Sequence, residues 1–210
     1  MNLLDTIVET KKGVKLYARR AESKDIDDLT RIINWAYRGK EGANPWTTEK
    51  HLVKGQRINE AALTKELLTD PLLKTIVLVE LVEEENGAEP VDQNQGEQQQ
   101  QRRIVGTIKI ERDTLEDTSG MIGMFGVDPS LQSSGIGGVL FKIAENYIKN
   151  TWGLNSAVMH VISIRDELLN WYISMGYSKT GKVIPFHNKD DKLDRALVEN
   201  LEFNELAKPL

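Results

Sequence analysis

Apolar residues fall along the chain in two rhythms, and the changes of rhythm mark the elements. Val14, Leu16 and Ala18 alternate with Lys15 and Tyr17 and predict a first strand. Residues 1–12 carry little signal and are expected to form a short N-terminal arm. Ser23 then caps a helix whose first turn holds Asp25, Asp27 and Asp28, where the helix dipole favours acids. Its apolar stripe is Ile26, Leu29, Ile32, Ile33 and Ala36, and it ends near Gly39. A loop-rich link over residues 38–58 leads to a second helix capped by Asn59, with Ala62, Leu63, Leu67 and Leu68 inward and a stop at Asp70 and Pro71.

Strands follow over residues 73–82 and 104–111, rich in Ile, Val and Leu. Between them, residues 83–103 are acidic and glutamine-rich with almost nothing to bury, which predicts a disordered insertion in an enlarged hairpin loop. The fold can carry it because closing a longer loop costs little extra entropy. A polar turn at 112–119 precedes an apolar strand at 120–127. Ile136, Leu140, Ile143, Ala144 and Tyr147 mark a helix to about Asn150, and residues 157–163 form another strand. Leu168, Leu169, Tyr172 and Met175 share a helix face, closed by Gly176 as a left-handed cap. Two last strands cover 177–184 and 201–206, separated by a charged loop. Hairpins with one β-α-β crossover predict an α+β fold in three layers, a mixed central sheet of about seven strands flanked by helices. Residues 13–210 are expected to form a single domain.

The chemistry concentrates after the strand ending at Val127. Asp128 and Pro129 stop it, because proline cannot donate to a ladder and restricts the residue before it. Gln132, Ser133, Ser134, Gly135, Ile136, Gly137 and Gly138 then open a helix. Glycines let a ligand approach the backbone, and the first helical turn offers unpaired N–H groups with partial positive charge. Such a site suits a phosphate or pyrophosphate. A nucleotide-triphosphate loop would need Gly-Lys-Ser/Thr, but Val139 follows Gly138; a dinucleotide fingerprint would need a third glycine where Leu140 stands and an acid near Asn155.

The pattern Gln-x-x-Gly-x-Gly at Gln132, Gly135 and Gly137, after Val127 and Pro129, resembles the acetyl-coenzyme A signature of the GNAT acetyltransferase superfamily. The order of elements from Val14 to Leu206 is similar to the GNAT fold. Tyr172, Gly176 and Tyr177 match a second landmark of that family, while Arg165 and Leu168 replace its usual Asn and Ala. The resemblance implies an N-acetyltransferase that moves the acetyl group of acetyl-CoA directly to an amine in a ternary complex. It implies that the backbone of Phe125, Gly126 and Val127 meets the pantetheine arm. Residues 132–138 would hold the pyrophosphate, and Tyr172 would protonate the leaving thiolate. Gly123 and Gly126 fit a break in strand pairing that would admit the pantetheine, or are concessions to packing.

The remaining composition narrows the reading. The chain has 210 residues, a net charge of −5 and no cysteine. A general basic footprint for nucleic acid is lacking. Disulfides, thiolate metal sites and a cysteine-bound acyl intermediate are excluded. His51, His160 and His187 are far apart and show no HExxH-like pair, so no metal is expected. No basic n-region precedes a long apolar core, and the most apolar run, residues 75–82, is too short to span a bilayer, so the expectation is a cytoplasmic protein without a membrane partner, as monomer or homodimer.

The acceptor must also lose a proton. An alkylamine of pKa about 10.4 is free base in roughly 1 part in 2,500 at pH 7, a cost of about 4.6 kcal/mol, whereas an α-amine near 7.7 costs only about 1. Many relatives use a glutamate on the strand equivalent to 120–127, which here carries no carboxylate. Glu80, Glu111 and His160 are the candidates, and the sequence does not choose among them. Trp35, Tyr37, Arg38, Trp46 and Arg57 either wall a substrate pocket or pack over a core edge. Arg38, Arg57 and Arg165 among these aromatic residues suit a carboxylate-bearing amine such as an amino acid, or are surface arginines. A small-molecule amine is the first expected acceptor; a protein N-terminus or lysine, or a catalytically silent acyl-CoA-binding module, are the alternatives.

Overall fold

The computed structural model describes residues 3–43, 45–82, 102–112, 114, 117–186 and 195–210. Its main sheet has eight strands in the order β1-β2-β4-β5-β6-β7-β10-β8. These are β1 (Thr6–Glu9), β2 (Lys15–Arg20), β4 (Lys74–Leu81), β5 (Arg103–Glu111), β6 (Ser119–Val127), β7 (Ser156–Ile162), β8 (Ser178–Pro185) and β10 (Glu202–Pro209). The two-residue strands β3 (Val53–Lys54) and β9 (Arg195–Ala196) make a separate ribbon. Among the described residues, four α-helices complete the fold: α1 (Ile26–Arg38), α2 (Glu60–Leu67), α3 (Ile136–Asn146) and α4 (Asp166–Ser174).

Alternation along the inner strands builds two cores. On β4, Val77 and Val79 point to the α3 side with Leu140, Ile143 and Ala144, while Ile76 and Leu78 point to the α1 side with Leu29, Ile32, Ile33 and Leu63. The three-layer α+β architecture expected from the sequence is therefore present. The sheet has eight strands rather than about seven, because Thr6–Glu9, expected to be part of an arm, pairs antiparallel with β2 in the register Thr6↔Ala18. Three of its four residues are exposed, so it carries no alternating burial pattern that a reading of hydrophobicity could detect. The last strand runs three residues beyond the expected 206 and inserts between β7 and β8. Residues 83–101 of the expected insertion lie outside the described residues, and Arg103 already belongs to β5.

One parallel pair sets up the site. β6 and β7 are joined only from Ser119↔Ser156 to Ile122↔Met159. Beyond that pair, β7 continues against β10 and β6 continues against β5, so the two strands part. The register of β5 and β6 shifts between Thr107 and Lys109, placing an extra residue in β6. That residue is Met124, with φ +42, a left-handed conformation that side chains rarely adopt. Neither flanking glycine takes a left-handed φ. Gly126 answers to packing: a Cβ there would lie 3.1 Å from the Ala36 Cβ, so its absence lets α1 sit close against β6.

Candidate active site

The gap between β6 and β7 opens into a cavity of about 1210 Å³. At one end lies the glycine loop. Ser133 (φ +64) and Gly135 (φ +91) turn the chain through left-handed conformations, and α3 starts at Ile136. The N–H groups of Ile136, Gly137 and Gly138 stand in the first turn, where no intrahelical carbonyl can reach them. The hairpin between β1 and β2 buttresses the loop: Lys12 Nζ donates to the Ser133 carbonyl at 2.6 Å, and a Cβ on Gly135 would meet the Thr10 Cβ at 3.1 Å. A Cβ on Gly137 would lie 3.1 Å from Phe125 Cζ, whereas one on Gly138 would meet nothing within 4 Å. These are the features of a cradle that admits a bulky anion to the backbone, so residues 132–138 fit the pyrophosphate of a coenzyme A.

Of the ten residues assigned to cofactor binding from sequence, Phe125, Gly126, Val127, Gln132, Ser133, Gly135, Ile136, Gly137 and Gly138 line this cavity. Ser134 does not; its hydroxyl donates to the Leu131 carbonyl and closes the turn instead. Gln132 has a role invisible in the motif. Its Oε1 accepts the backbone N–H of Trp46 at 2.7 Å, tying the link after α1 to the glycine loop. The Trp46 ring meets Trp171 edge-on, and Trp171 stacks on Phe125 with centroids 5.7 Å apart.

Tyr172 lies on α4, packed against Phe141, Trp171 and Tyr177 and only 5% exposed, yet it lines the cavity. Burial pushes its phenol far above the ordinary 10.0; the nearby Tyr37 adds to the rise and Arg165 opposes it. It is therefore a proton donor throughout the neutral range. Tyr37 on α1 lines the same cavity, is also raised chiefly by burial, and carries the Arg57 guanidinium over its ring at 5.2 Å.

A buried ion cluster fixes the wall between them. Glu49 Oε1 accepts from Arg165 Nη1 at 2.7 Å, and its Oε2 accepts from Arg38 Nη1 at 2.9 Å. Arg165 also donates to Thr47 Oγ1, and Thr47 donates to Glu167 Oε1 at 2.9 Å. The link thus clamps onto both α1 and α4. Arg165, in place of the usual Asn, is committed to this clamp. Of the five suggested wall residues, Tyr37, Trp46 and Arg57 line the cavity. Arg38 acts through Glu49, and Trp35 lies under Arg31 and Lys40 outside the cavity. The partnership of Glu49 was not legible, because its partners are 11 and 116 residues away.

The three candidate bases separate clearly. Glu80 accepts two hydrogen bonds from Arg19, which also holds Asp25, and it does not line the cavity. Glu111 lines it but is bridged by Lys109 Nζ at 2.7 Å and Lys74 Nζ at 3.3 Å. His160 lines it and faces Glu205, with Nε2 3.4 Å from Oε2. Among the described residues no group of side chains could hold a metal ion, and no helix is long and apolar enough to cross a membrane.

A sheet parted beside a glycine loop, with a buried tyrosine in the gap, defines a coenzyme A-dependent acyltransferase architecture. The chain belongs to the GNAT acetyltransferase family: the family model for the acetyltransferase (GNAT) domain matches residues 75–188, just over half of the chain. It is an acyltransferase of the family that uses acetyl-CoA. Among solved structures, it is similar to the spermidine N-acetyltransferase from Vibrio cholerae in complex with CoA and spermine, at 13% identity and a TM-score of 0.61 over 92% of this chain and 95% of that one. A chimera of that Vibrio cholerae enzyme, SpeG, with hSSAT gives the same TM-score of 0.61 at 13% identity, over 92% and 95%. At this identity the likeness is one of fold. No curated protein sequence matches the chain.

Proposed function

We propose that the protein transfers the acetyl group of acetyl-CoA to a primary amine of a small molecule, directly and in a ternary complex. The observation that carries this reading is the end of parallel pairing at Ile122↔Met159, which opens one cavity to both the glycine loop and the wall formed by Tyr37, Trp46 and Arg57. Two substrates can then lie against each other across the gap, with no covalent enzyme intermediate. Glu49 lines the cavity and holds its wall together through Arg38 and Arg165, which supports a small amine over an extended peptide.

In this reading the N–H groups at the start of α3 receive the pyrophosphate. The backbone edge of residues 125–127 that faces away from β5, left without a β7 partner, meets the amides of the pantetheine arm. Tyr172 Oη gives its proton to the thiolate as the carbon–sulfur bond breaks; its raised pKa keeps that proton in place until then. Trp46 and Trp171 exclude water over the thioester. Arg57 suits an acceptor that carries a carboxylate.

The test is a thermal-shift titration with acetyl-CoA, coenzyme A and ATP, followed by thiol release with a panel of amines. A ligand at 100 times its dissociation constant stabilises by about 2.7 kcal/mol. A shift with both coenzyme A forms and none with ATP, followed by amine-dependent thiol release, is expected. No shift with either coenzyme A form would remove the reading.

A further inference from the structure

We propose that His160, oriented by Glu205, is the base that takes the proton from the acceptor ammonium; the inference rests on the transferase reading above. The position comes from strand register. Pairing of β7 with β6 stops at Met159, and His160 is the next residue, at the point where the strands part. Its neighbours Met159 and Val161 are both buried in the α3 core, so alternation sends His160 to the opposite face. There it lines the cavity together with Gly123, Lys109 and Glu111 on the neighbouring strands.

The orienting partner is built in. Glu205 is the register partner of His160 on β10, and its Oε2 lies 3.4 Å from His160 Nε2. Lys182 Nζ at 2.9 Å and Thr180 Oγ1 at 3.1 Å, both from β8, fix the same carboxylate. With Nε2–H directed to Glu205, the Nδ1 lone pair is the one left to accept a proton. Charged groups beside His160 are Glu205 on β10 and, bonded to it, Lys182 on β8; the bonded pair Lys109 and Glu111 on β5 lines the same cavity.

The competing carboxylates of the cavity are already engaged. Glu49 neutralises two arginines, Glu111 two lysines, and Glu145 accepts from Lys208 Nζ at 2.8 Å and from the Tyr177 hydroxyl at 3.0 Å. Glu9 is on β1, beside the glycine loop rather than the parting of the strands. Imidazole is also the side chain whose ordinary pKa lies nearest neutrality.

The step balances without a further reactant. The ammonium proton passes to His160, and the freed nitrogen bonds to the thioester carbonyl carbon. The carbon–sulfur bond breaks, and sulfur leaves with its electron pair and the Tyr172 proton. Of the two protons the nitrogen loses, one leaves through His160 to solvent and the other replaces the one Tyr172 gave up.

The test compares wild type, His160→Gln and Glu205→Gln by thiol release between pH 6 and 9.5, with acetyl-CoA and, as probe acceptors, spermidine plus a panel of alkylamines and amino acids. His160→Gln is expected to lose about 100-fold in kcat/KM at pH 7. Much of that loss should return towards pH 9.5, where the amine supplies its own free base. Its coenzyme A dissociation constant should match wild type, which also reports an intact fold. Glu205→Gln should lose less and displace the acidic limb of the profile. An active wild type whose His160→Gln variant keeps the same rate and profile overturns the base and leaves the transferase reading standing. A wild type that binds acetyl-CoA yet releases thiol with none of the amines overturns the transferase reading, and the base with it.

Discussion

The backbone N–H of Trp46 donates to the side-chain Oε1 of Gln132 at 2.7 Å, joining the link after α1 to the loop before α3. This hydrogen bond therefore connects the two ends of the cavity mechanically. Gln132→Ala removes the acceptor and leaves the loop backbone unchanged. A neutral hydrogen bond contributes about 1 kcal/mol, roughly fivefold in an equilibrium constant. The expected outcome is a several-fold rise in acceptor KM alongside a weaker dissociation constant for acetyl-CoA, measured by steady-state kinetics and calorimetry. A change in neither would mean that the two ends act independently.

Tyr172→Phe removes one hydroxyl from a ring packed by Phe141, Trp171 and Tyr177. Turnover should fall about 100-fold or more, the range of a positioned general acid, while coenzyme A affinity is retained. Single-turnover thiol release separates the two quantities. Turnover at the wild-type rate would remove Tyr172 from the chemistry.

Alkaline stability follows from the same burial. Tyr172 and Tyr177 both have folded pKa values raised above the ordinary 10.0, Tyr172 by burial first and Tyr177 by burial and then by Glu145. A group raised in the folded state contributes stability fully below its unfolded pKa and loses it as pH rises beyond. The melting temperature should therefore fall above about pH 10, and Tyr172→Phe should show a smaller fall. Equal alkaline slopes for the two proteins would contradict the assignment.

Glu49 is 8% exposed and holds Arg38 and Arg165. Glu49→Ala leaves two guanidinium groups without their shared counter-charge in a closed wall. Breaking a buried pair from one side costs about 3 kcal/mol or more. A loss of that size, read by urea unfolding, is expected together with a raised acceptor KM, because Thr47 and Trp46 ride on the same link. A loss below about 1 kcal/mol would place the cluster with solvent-screened surface pairs.

Gly137 and Gly138 differ although they are adjacent in the motif. A Cβ at 137 meets Phe125 Cζ at 3.1 Å and Trp171 Cη2 at 3.3 Å, whereas one at 138 meets nothing within 4 Å. Gly138→Ala should fold at least as stably as wild type, gaining up to about 1 kcal/mol of helix propensity. Gly137→Ala must displace an aromatic ring by a few tenths of an ångström and should lower the melting temperature. Both should weaken acetyl-CoA binding at least tenfold if phosphates meet this turn, and unchanged affinity in both would move the anion elsewhere.

Much of the fold was legible along the chain. The apolar stripe Leu29, Ile32 and Ile33 and the alternation on β4 depend only on spacing, because a 3.6-residue or two-residue period fixes which face is buried before any partner is chosen. The glycine loop was legible for a similar local reason: left-handed turns, close approach and a helix start all act within a few residues.

What needed the tertiary structure was every feature set by two distant segments. Thr6–Glu9 joins the sheet through backbone hydrogen bonds that carry no hydrophobic signature. The left-handed residue in β6 is Met124 rather than a neighbouring glycine, because the register against β5 places the extra residue there. Arg165, which departs from the family motif, has its partner Glu49 116 positions away, and His160 meets Glu205 only because β10 inserts between β7 and β8. Local sequence determines elements and their faces through short-range sterics and burial. Which charges meet across the cavity is decided by strand order and register, which no local pattern encodes.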